Sequence, residues 1–118
     1  MSRTLVLGAS LNPERMSNSA MLKLKQNGFN VVAVGNREGI AHGIEINKEF
    51  PTSDVDTVTL YLGAKNQFSY YDKIIDLKPN RIIFNPGAEN SELSKLANEN
   101  GIETLDACTL VMLSIGNY

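Results

Sequence analysis

The sequence is short of residue types that many functional sites need. Its 118 residues include one cysteine, one histidine and no tryptophan. A single cysteine excludes an intrachain disulfide and a cysteine-based zinc cluster. Acidic residues outnumber basic residues by 13 to 11, which leaves a formal net charge of -2 and no basic footprint for nucleic acid.

Two kinds of apolar segment are also missing. No run of about 18 apolar residues is present, so the sequence predicts no transmembrane helix. The first residues, Met-Ser-Arg, lead directly into a strand-like segment and lack the pattern of a signal peptide. We therefore expect a cytoplasmic protein without affinity for nucleic acid or membranes, built as a single domain over residues 1–118.

Short apolar runs alternate with segments of helical spacing along the whole chain. This alternation predicts an α/β, Rossmann-like domain in three layers, with a five-stranded, mainly parallel sheet of order 3-2-1-4-5. Residues 35–54 carry no clear period and are predicted to be irregular, with a short extended piece near 44–46. The predicted strands are 4–7, 30–34, 55–62, 81–84 and 102–106, and the predicted helices are 17–27, 65–77, 91–100 and 109–115.

The predicted topology brings three loops together at one edge of the sheet. Ligands of parallel α/β sheets bind at the carboxyl ends of the strands, near the point where the strand order reverses. The loops expected there are 8–17, 35–39 and 85–90, which follow the first, second and fourth predicted strands. A functional site is therefore expected where these loops meet.

The first of these loops has the residues of a phosphate-binding turn. Gly8 lets the backbone approach a ligand, and the helix that follows presents unpaired N–H groups and the positive end of its dipole. Ser10 and Ser17 add hydroxyl donors, and Arg15 adds a cation suited to phosphate oxygens. The simpler alternative is that Gly8 only makes the turn and Ser17 only caps the helix, because the dinucleotide pattern G-x-G-x-x-G is absent.

The second loop lacks the acidic residue that holds the ribose in NAD-binding proteins. The strand runs out in VGNRE, residues 34–38, with the acid one step later than expected. Arg37 would suit an extra ribose phosphate, as in NADP or coenzyme A, although a lone arginine is more often a solvated loop residue. In the third loop, Pro86 and Gly87 predict a tight turn that either lies beside a ligand or simply connects a strand to a helix.

These residues together make the chain resemble a small CoA-binding domain protein of the YccU-like type, a domain similar to that of the succinyl-CoA synthetase α subunit. The block VLGASLNPERMSNSA, residues 6–20, carries most of a likeness that extends over nearly the whole chain. Weaker matches are VVAVGN at 31–36, NPGAEN at 85–90 and Asp-Ala-Cys at 106–108. The sequence departs from the family in having Arg37 where proline is expected and Asn85 where glutamine is usual.

The resemblance implies a cofactor and a site for it. Coenzyme A or an acyl-CoA would bind with its diphosphate at the first turn, with NADP as the alternative cofactor. The second loop would lie near the adenosine end, and the third loop would close the rim. The implied cofactor-binding residues are Gly8, Ala9, Ser10, Asn12, Pro13, Arg15, Ser17, Asn36, Arg37, Pro86 and Gly87.

Few residues are candidates for catalysis, and no metal-ligand cluster appears. His42 is the only histidine, and a loop histidine acts as a base only beside an oriented partner. Cys108 follows the last predicted strand, where a buried structural thiol is the simpler interpretation. A stand-alone five-stranded domain also offers little room for a second substrate beside a cofactor.

We therefore expect a protein without catalytic activity of its own that binds a small-molecule nucleotide cofactor and senses it, buffers it or presents it to an unknown protein partner. One alternative is an NADP-type oxidoreductase, or a subunit of a larger enzyme. Another is an interaction domain that has lost its ligand. A homodimer is also considered, because Tyr70, Val111, Met112 and Leu113 would leave apolar surface.

Overall fold

In a computed structural model, residues 3–118 form one sheet of seven strands with helices on both faces. The strands are β1 (Arg3–Leu7), β2 (Asn30–Val34), β3 (Gly39–Ala41), β4 (Ile44–Asn47), β5 (Thr57–Leu60), β6 (Arg81–Phe84) and β7 (Glu103–Asp106). The helices are α1 (Met16–Gln26), α2 (Tyr71–Leu77), α3 (Ser91–Glu99) and α4 (Thr109–Ser114). The strand order is β3-β4-β2-β1-β5-β6-β7, and only the β3–β4 pair is antiparallel.

The α/β class and the mainly parallel sheet are confirmed, but the predicted number and order of strands are wrong. The predicted third strand, 55–62, was expected outside the second strand. Instead β5 pairs with β1, with Leu60 opposite Leu7. The place beside β2 belongs to β4, where Asn47 pairs with Val34.

The error comes from the segment predicted to be irregular. Residues 39–47 form a β-hairpin whose two-residue turn, His42 and Gly43, has φ angles of 55° and 75°. Two positive φ angles are the signature of a type I′ hairpin turn, in which the first position is usually asparagine, aspartate or glycine. With histidine there, and with strands of three and four residues, the sequence signal is weak.

The core lies on both faces of the sheet. Leu5 and Leu7 of β1 pack with the cluster beneath α2 and α3, and Val6 packs with the cluster beneath α1 and α4. Strands covered on both faces need apolar residues at successive positions, which is why the central strands appear as unbroken apolar runs. No helix formed by residues 3–118 is long and apolar enough to cross a bilayer.

Ser17 does not cap α1, and the serine at the start of α3 does not cap that helix either. The N-cap of α1 is Arg15, which makes no side-chain cap, so Ser17 lies inside the first turn. The N-cap of α3 is Asn90 rather than Ser91, and its Oδ1 accepts a hydrogen bond from the N–H of Leu93. Asparagine and serine are equally good N-caps, so residue type alone could not show which of two adjacent residues, Asn90 or Ser91, caps α3.

The same two helices end on Asn-Gly pairs, Asn27-Gly28 and Asn100-Gly101. Gly28 and Gly101 have φ angles of 83° and 77°, and each directs the chain out of its helix. The N–H groups of Gly28 and of the next residue return to carbonyls of the last turn at 3.0 Å. This is the Schellman pattern, which favours glycine at the left-handed position.

The predicted helix 65–77 is only half regular. Residues Ala64–Asn66 and Phe68–Tyr70 form two short 3₁₀ turns, and α2 begins at Tyr71. Gln67 separates the two turns and is fully buried. A buried polar side chain at this point must reach backbone partners in other loops, which fixes the chain locally in a shape that a continuous α-helix would not give.

Two of the residues expected to leave apolar surface are buried. Val111 is exposed, but Met112 and Leu113 are buried. Tyr70 is only partly exposed. The homodimer remains a prediction.

Two tyrosines near the α1 and α4 face differ in their hydrogen bonding. The Tyr118 hydroxyl lies 2.6 Å from Thr4 Oγ1, and its ring lies beneath the Arg81 guanidinium, 4.6 Å away. The Tyr61 hydroxyl is buried without a hydrogen-bond partner among residues 3–118, and the hydroxyls of the neighbouring Thr59 and Thr109 lie 2.8 Å from each other. Burial raises the pKa of Tyr61 to about 12.

Removing each hydroxyl therefore has a different effect on the free energy of unfolding. Tyr118→Phe leaves Thr4 without its partner and should lower that energy by about 1 kcal/mol. Tyr61→Phe removes an unsatisfied polar group and should leave it unchanged or raise it. Urea unfolding of the two variants, each the other's control, tests this contrast. Equal losses in both variants would contradict it.

The raised pKa of Tyr61 also predicts a loss of stability in alkali. A folded-state pKa of about 12 against 10.0 for the exposed phenol means that the unfolded chain loses this proton first as pH rises. The contribution of the Tyr61 phenol to the free energy of unfolding is complete below pH 10. It is lost between pH 10 and pH 12, with a slope of up to about 1.4 kcal/mol per pH unit. Over that range the free energy of unfolding of the native chain should fall more steeply with pH than that of Tyr61→Phe, and parallel curves would refute the assignment.

Candidate functional site

A cleft of about 750 Å³ opens at the carboxyl ends of β1, β2, β5 and β6. The chain leaves β1 for β2 on one side and returns to β5 on the other, so the cleft occupies the point where the strand order reverses. It is lined by Gly8, Ala9, Ser10, Leu11, Asn12, Glu14, Arg15, Met16, Ser17, Val34, Gly35, Asn36, Arg37, Tyr61, Leu62, Gly63, Asn66, Tyr70 and Pro86.

The structure brings most of the predicted site residues together at this cleft. Pro13 and Gly87 do not line it. Gly87 has a φ of 93° and lies in the predicted tight turn, which is closed by a 2.8 Å hydrogen bond from the N–H of Ala88 to the carbonyl of Asn85. The predicted residues that do line the cleft are Gly8, Ala9, Ser10, Asn12, Arg15, Ser17, Asn36, Arg37 and Pro86.

The first two loops meet through direct contact between their backbones. The N–H groups of Gly8 and Ala9 both donate to the carbonyl of Val34, at 3.0 and 2.9 Å. A Cβ atom at Gly35 would lie 2.2 Å from the Ala9 carbonyl oxygen, far inside van der Waals contact. Gly35 is therefore required for the loop after β1 to lie against the end of β2.

These bonds decide which backbone donors are open to a ligand. The N–H groups of Gly8 and Ala9 are occupied, so they line the cleft without offering a free donor. The first N–H groups of a helix have no carbonyl partner within it. Met16 and Ser17, at the start of α1, line the cleft, and this start is the positive end of the helix dipole.

Hydrogen bonds between residues close in sequence hold the first loop in its shape. Ser10 Oγ accepts from the N–H of Asn12 at 3.0 Å, and Asn12 Oδ1 accepts from the N–H of Glu14 at 2.9 Å. The N–H of Arg15 donates to the carbonyl of Asn12 at 3.0 Å. Asn18 of α1 donates to the carbonyl of Ser10 at 2.9 Å. Ser10 and Asn12 thus shape the loop that leads to Arg15.

The charged residues of the cleft lie at its rim. Arg15 precedes α1 and Arg37 follows β2, and both side chains are exposed. Glu14 is the one carboxylate in the lining. Two guanidinium groups on separate loops, together with a helix start, give the cleft a positive character suited to anions with more than one phosphate.

The sequence did not predict the wall formed after β5. Tyr61, Leu62, Gly63, Asn66 and Tyr70 line the cleft because β5 lies beside β1. The sequence analysis placed that strand at the edge of the sheet, and the loop that follows it was therefore not expected at the site. A hairpin assigned to residues 39–47 would have moved the strand inward and revealed these residues.

Gln67 fixes this wall to the third loop. Its Nε2 donates to the carbonyls of Leu62 and Ala88 at 2.8 and 2.7 Å, and its Oε1 accepts from Asn90 Nδ2 at 2.9 Å. Asn85 makes a similar connection deeper in the sheet, where its Nδ2 donates to the carbonyl of Leu60 at 2.9 Å. Buried amides with all their groups satisfied make this side of the cleft rigid.

The candidates for catalysis lie outside the cleft. His42 is in the hairpin turn, where its Nε2 lies 2.7 Å from Asn18 Oδ1. Cys108 is partly buried at the start of α4. Neither residue lines the cleft. Residues 3–118 contain no group of three or more histidine, cysteine, aspartate or glutamate residues placed to hold a metal ion.

A second depression of about 780 Å³ lies at the opposite edge of the sheet, around Arg3, Asp54 and Lys78. It is more open than the cleft and faces the amino ends of the strands. Arg3 is engaged there with the backbone carbonyls of Ser53 and Asp54, at 2.7 and 2.8 Å. Because ligands of such sheets bind at the carboxyl ends, the cleft is the candidate site.

Solved structures similar to this chain share its fold. A crystal structure of an uncharacterized protein is 47% identical, with a TM-score of 0.96 over 100% of this chain and 98% of the other. A hypothetical protein from Pyrococcus horikoshii OT3 is 23% identical, with a TM-score of 0.88 over 97% and 82% of the two chains. A conserved hypothetical protein from Pyrococcus furiosus is 22% identical, with a TM-score of 0.75 over 92% and 93%.

Comparison with protein families agrees with the resemblance in the sequence. No curated protein matches the chain. The family described as the CoA binding domain matches residues 2–114, a span that includes every loop of the cleft. The chain therefore belongs to the CoA binding domain family.

Proposed function

We propose that the protein binds coenzyme A or an acyl-CoA in the cleft, with the diphosphate at the start of α1, and catalyses no reaction by itself. The observation that carries this proposal is the presence of Arg15 and Arg37 on two loops of one cleft at the reversal of strand order. Family membership supports coenzyme A as the ligand. The volume of about 750 Å³ suits a small-molecule ligand.

The start of α1 is the part of the cleft suited to a diphosphate. The N–H groups of Met16 and Ser17 and the helix dipole favour negative charge at this point. Arg15 adds a guanidinium group able to donate two parallel hydrogen bonds to phosphate oxygens. The internal hydrogen bonds of the first loop hold this arrangement before any ligand arrives, which lowers the entropy lost on binding.

Arg37 is the residue that would distinguish ligands by their ribose phosphate. It follows β2, where NAD-binding proteins carry an acid for the ribose hydroxyls. A cation there favours a ribose that bears a phosphate, as the 3′-phosphate of coenzyme A or the 2′-phosphate of NADP does. NADP is therefore the second candidate, and the family match favours coenzyme A.

The residues that line the cleft support binding without catalysis. Its ionisable side chains are Glu14, Arg15, Arg37, Tyr61 and Tyr70. The Tyr61 hydroxyl is buried and its pKa is raised to about 12 by that burial, so it is a poor base near neutral pH. A nucleophile paired with an oriented base is not among these side chains. A role in carrying the cofactor to a partner is part of the proposal.

Titration calorimetry with coenzyme A and 3′-dephospho-CoA tests the two arginines separately. Arg15→Ala should weaken both ligands about 10- to 100-fold, because a charged hydrogen bond to the diphosphate is lost. Arg37→Ala should weaken coenzyme A by a similar factor and leave 3′-dephospho-CoA within about twofold. Lys95→Ala removes an exposed cation on α3 and is the charge-matched control. Tight binding of NADP with none of coenzyme A would refute the proposal.

Gly35 provides a steric test of the same cleft. Gly35→Ala places a Cβ against the Ala9 carbonyl oxygen, and the first loop must move. We expect a loss of about 1–3 kcal/mol in the free energy of unfolding and at least tenfold weaker binding of coenzyme A. Gly63→Ala is the matched control, because Gly63 lines the cleft and a Cβ there meets no atom within 4 Å. Equal effects of both substitutions would show that the contact is not what shapes the loop.

A further inference from the structure

The β3–β4 hairpin touches the first loop and the start of α1 from outside the cleft. His42 Nε2 lies 2.7 Å from Asn18 Oδ1 in the first turns of α1. Gly39 of β3 lies beneath Leu11, so closely that a Cβ at Gly39 would be 2.8 Å from Leu11 Cδ1. The hairpin is thus packed against the segment that precedes Arg15.

The directions of the hydrogen bonds are fixed by the groups that take part. Asn18 is buried, and its Nδ2 donates to the carbonyl of Ser10 at 2.9 Å. Its Oδ1 therefore faces His42 and can only accept a hydrogen bond. His42 Nε2 must carry the hydrogen and donate it. Two consecutive hydrogen bonds therefore connect the hairpin turn, through Asn18, to the backbone of the first loop.

Two features of the backbone position His42 for its hydrogen bond to Asn18. Its φ of 55° is set by the hairpin turn that it forms with Gly43. Its carbonyl accepts a hydrogen bond from Lys25 Nζ, at the end of α1, at 2.6 Å. The residue is exposed on its outer side and does not line the cleft, so its effect on a ligand is indirect.

We infer that His42 is a positioning residue for the ligand cleft. Through Asn18 it keeps Ser10, and with it the hydrogen-bonded loop as far as Arg15, in the shape that faces a ligand. The effect on coenzyme A rests on the proposed function, whereas the effect on the loop itself does not. A residue 24 positions from Asn18, on another element, thereby controls the affinity of the phosphate end of the cleft.

Two substitutions separate the side-chain bond from the turn. His42→Asn keeps a residue that tolerates a positive φ but is too short to reach Asn18. His42→Gln extends an N–H donor to about the reach of Nε2. We expect His42→Asn to weaken coenzyme A about tenfold, as when a buried polar group loses its partner, and to speed hydrogen exchange at the N–H groups of Glu14 and Arg15. His42→Gln should restore both to within about threefold.

Further variants distinguish positioning from a general loss of stability. Ser94→Ala removes a hydrogen bond of 2.9 Å to Thr104 at the far side of the sheet and should leave affinity and loop exchange unchanged. In an Asn18→Ala background, His42→Asn should weaken coenzyme A by less than twofold more.

The outcomes are distinct. If the native chain does not bind coenzyme A while His42→Asn still speeds exchange in the loop, the proposed function fails and the positioning role stands. If His42→Asn leaves loop exchange at the native rate, or adds its full tenfold effect without Asn18, the positioning role is overturned. If His42→Asn speeds exchange equally in the loop and in β7, its effect is on global stability and the inference is likewise overturned.

Discussion

The contact of the Ala9 carbonyl oxygen with Gly35 is the constraint on which the rest of the site depends. It allows the loop after β1 to lie on the end of β2, with two N–H groups bonded to a single carbonyl. That position in turn sets where α1 begins and where Arg15 and Arg37 stand relative to each other. The clash involves a main-chain atom, which every residue at position 9 would carry. No change of side chain at Ala9 would make room for a larger residue at Gly35.

The fold class was predictable from the sequence because buried parallel strands need unbroken apolar runs, and five such runs alternate with helical segments. The strand order was not, because it depends on pairing between distant segments rather than on local pattern. The hairpin that occupies the outer place beside β2 uses strands of three and four residues and a histidine in its turn, where asparagine or glycine is usual. Missing it moved the next strand to the wrong side of β1.

The site was likewise predicted where local sequence carries the signal and missed where the signal depends on topology. Residues of the first loop were found because glycine, serine and arginine before a helix have a direct chemical meaning for phosphate. The wall after β5 was missed because its residues, such as Leu62 and Tyr70, have no such meaning and reach the cleft only through topology. Gln67 and Asn18 were also missed, since a buried amide that joins two loops looks like any surface amide in a sequence. The roles of the predicted residues in binding stay predictions until a ligand is titrated.

The pairing of β1 has a consequence for how the chain folds. Arg3 pairs with Asn30 on one side of β1, and Thr4 pairs with Thr57 on the other, so both sides of the central strand close over long loops. Among residues 3–118, only the β3–β4 pair is joined by a tight two-residue turn. Closing long loops costs entropy before contacts repay it, which makes such topologies fold slowly. The cleft takes residues from Gly8 to Pro86, so it is complete only once β1, β2, β5 and β6 have paired, and ligand affinity becomes a measure of whether the centre of the sheet has assembled.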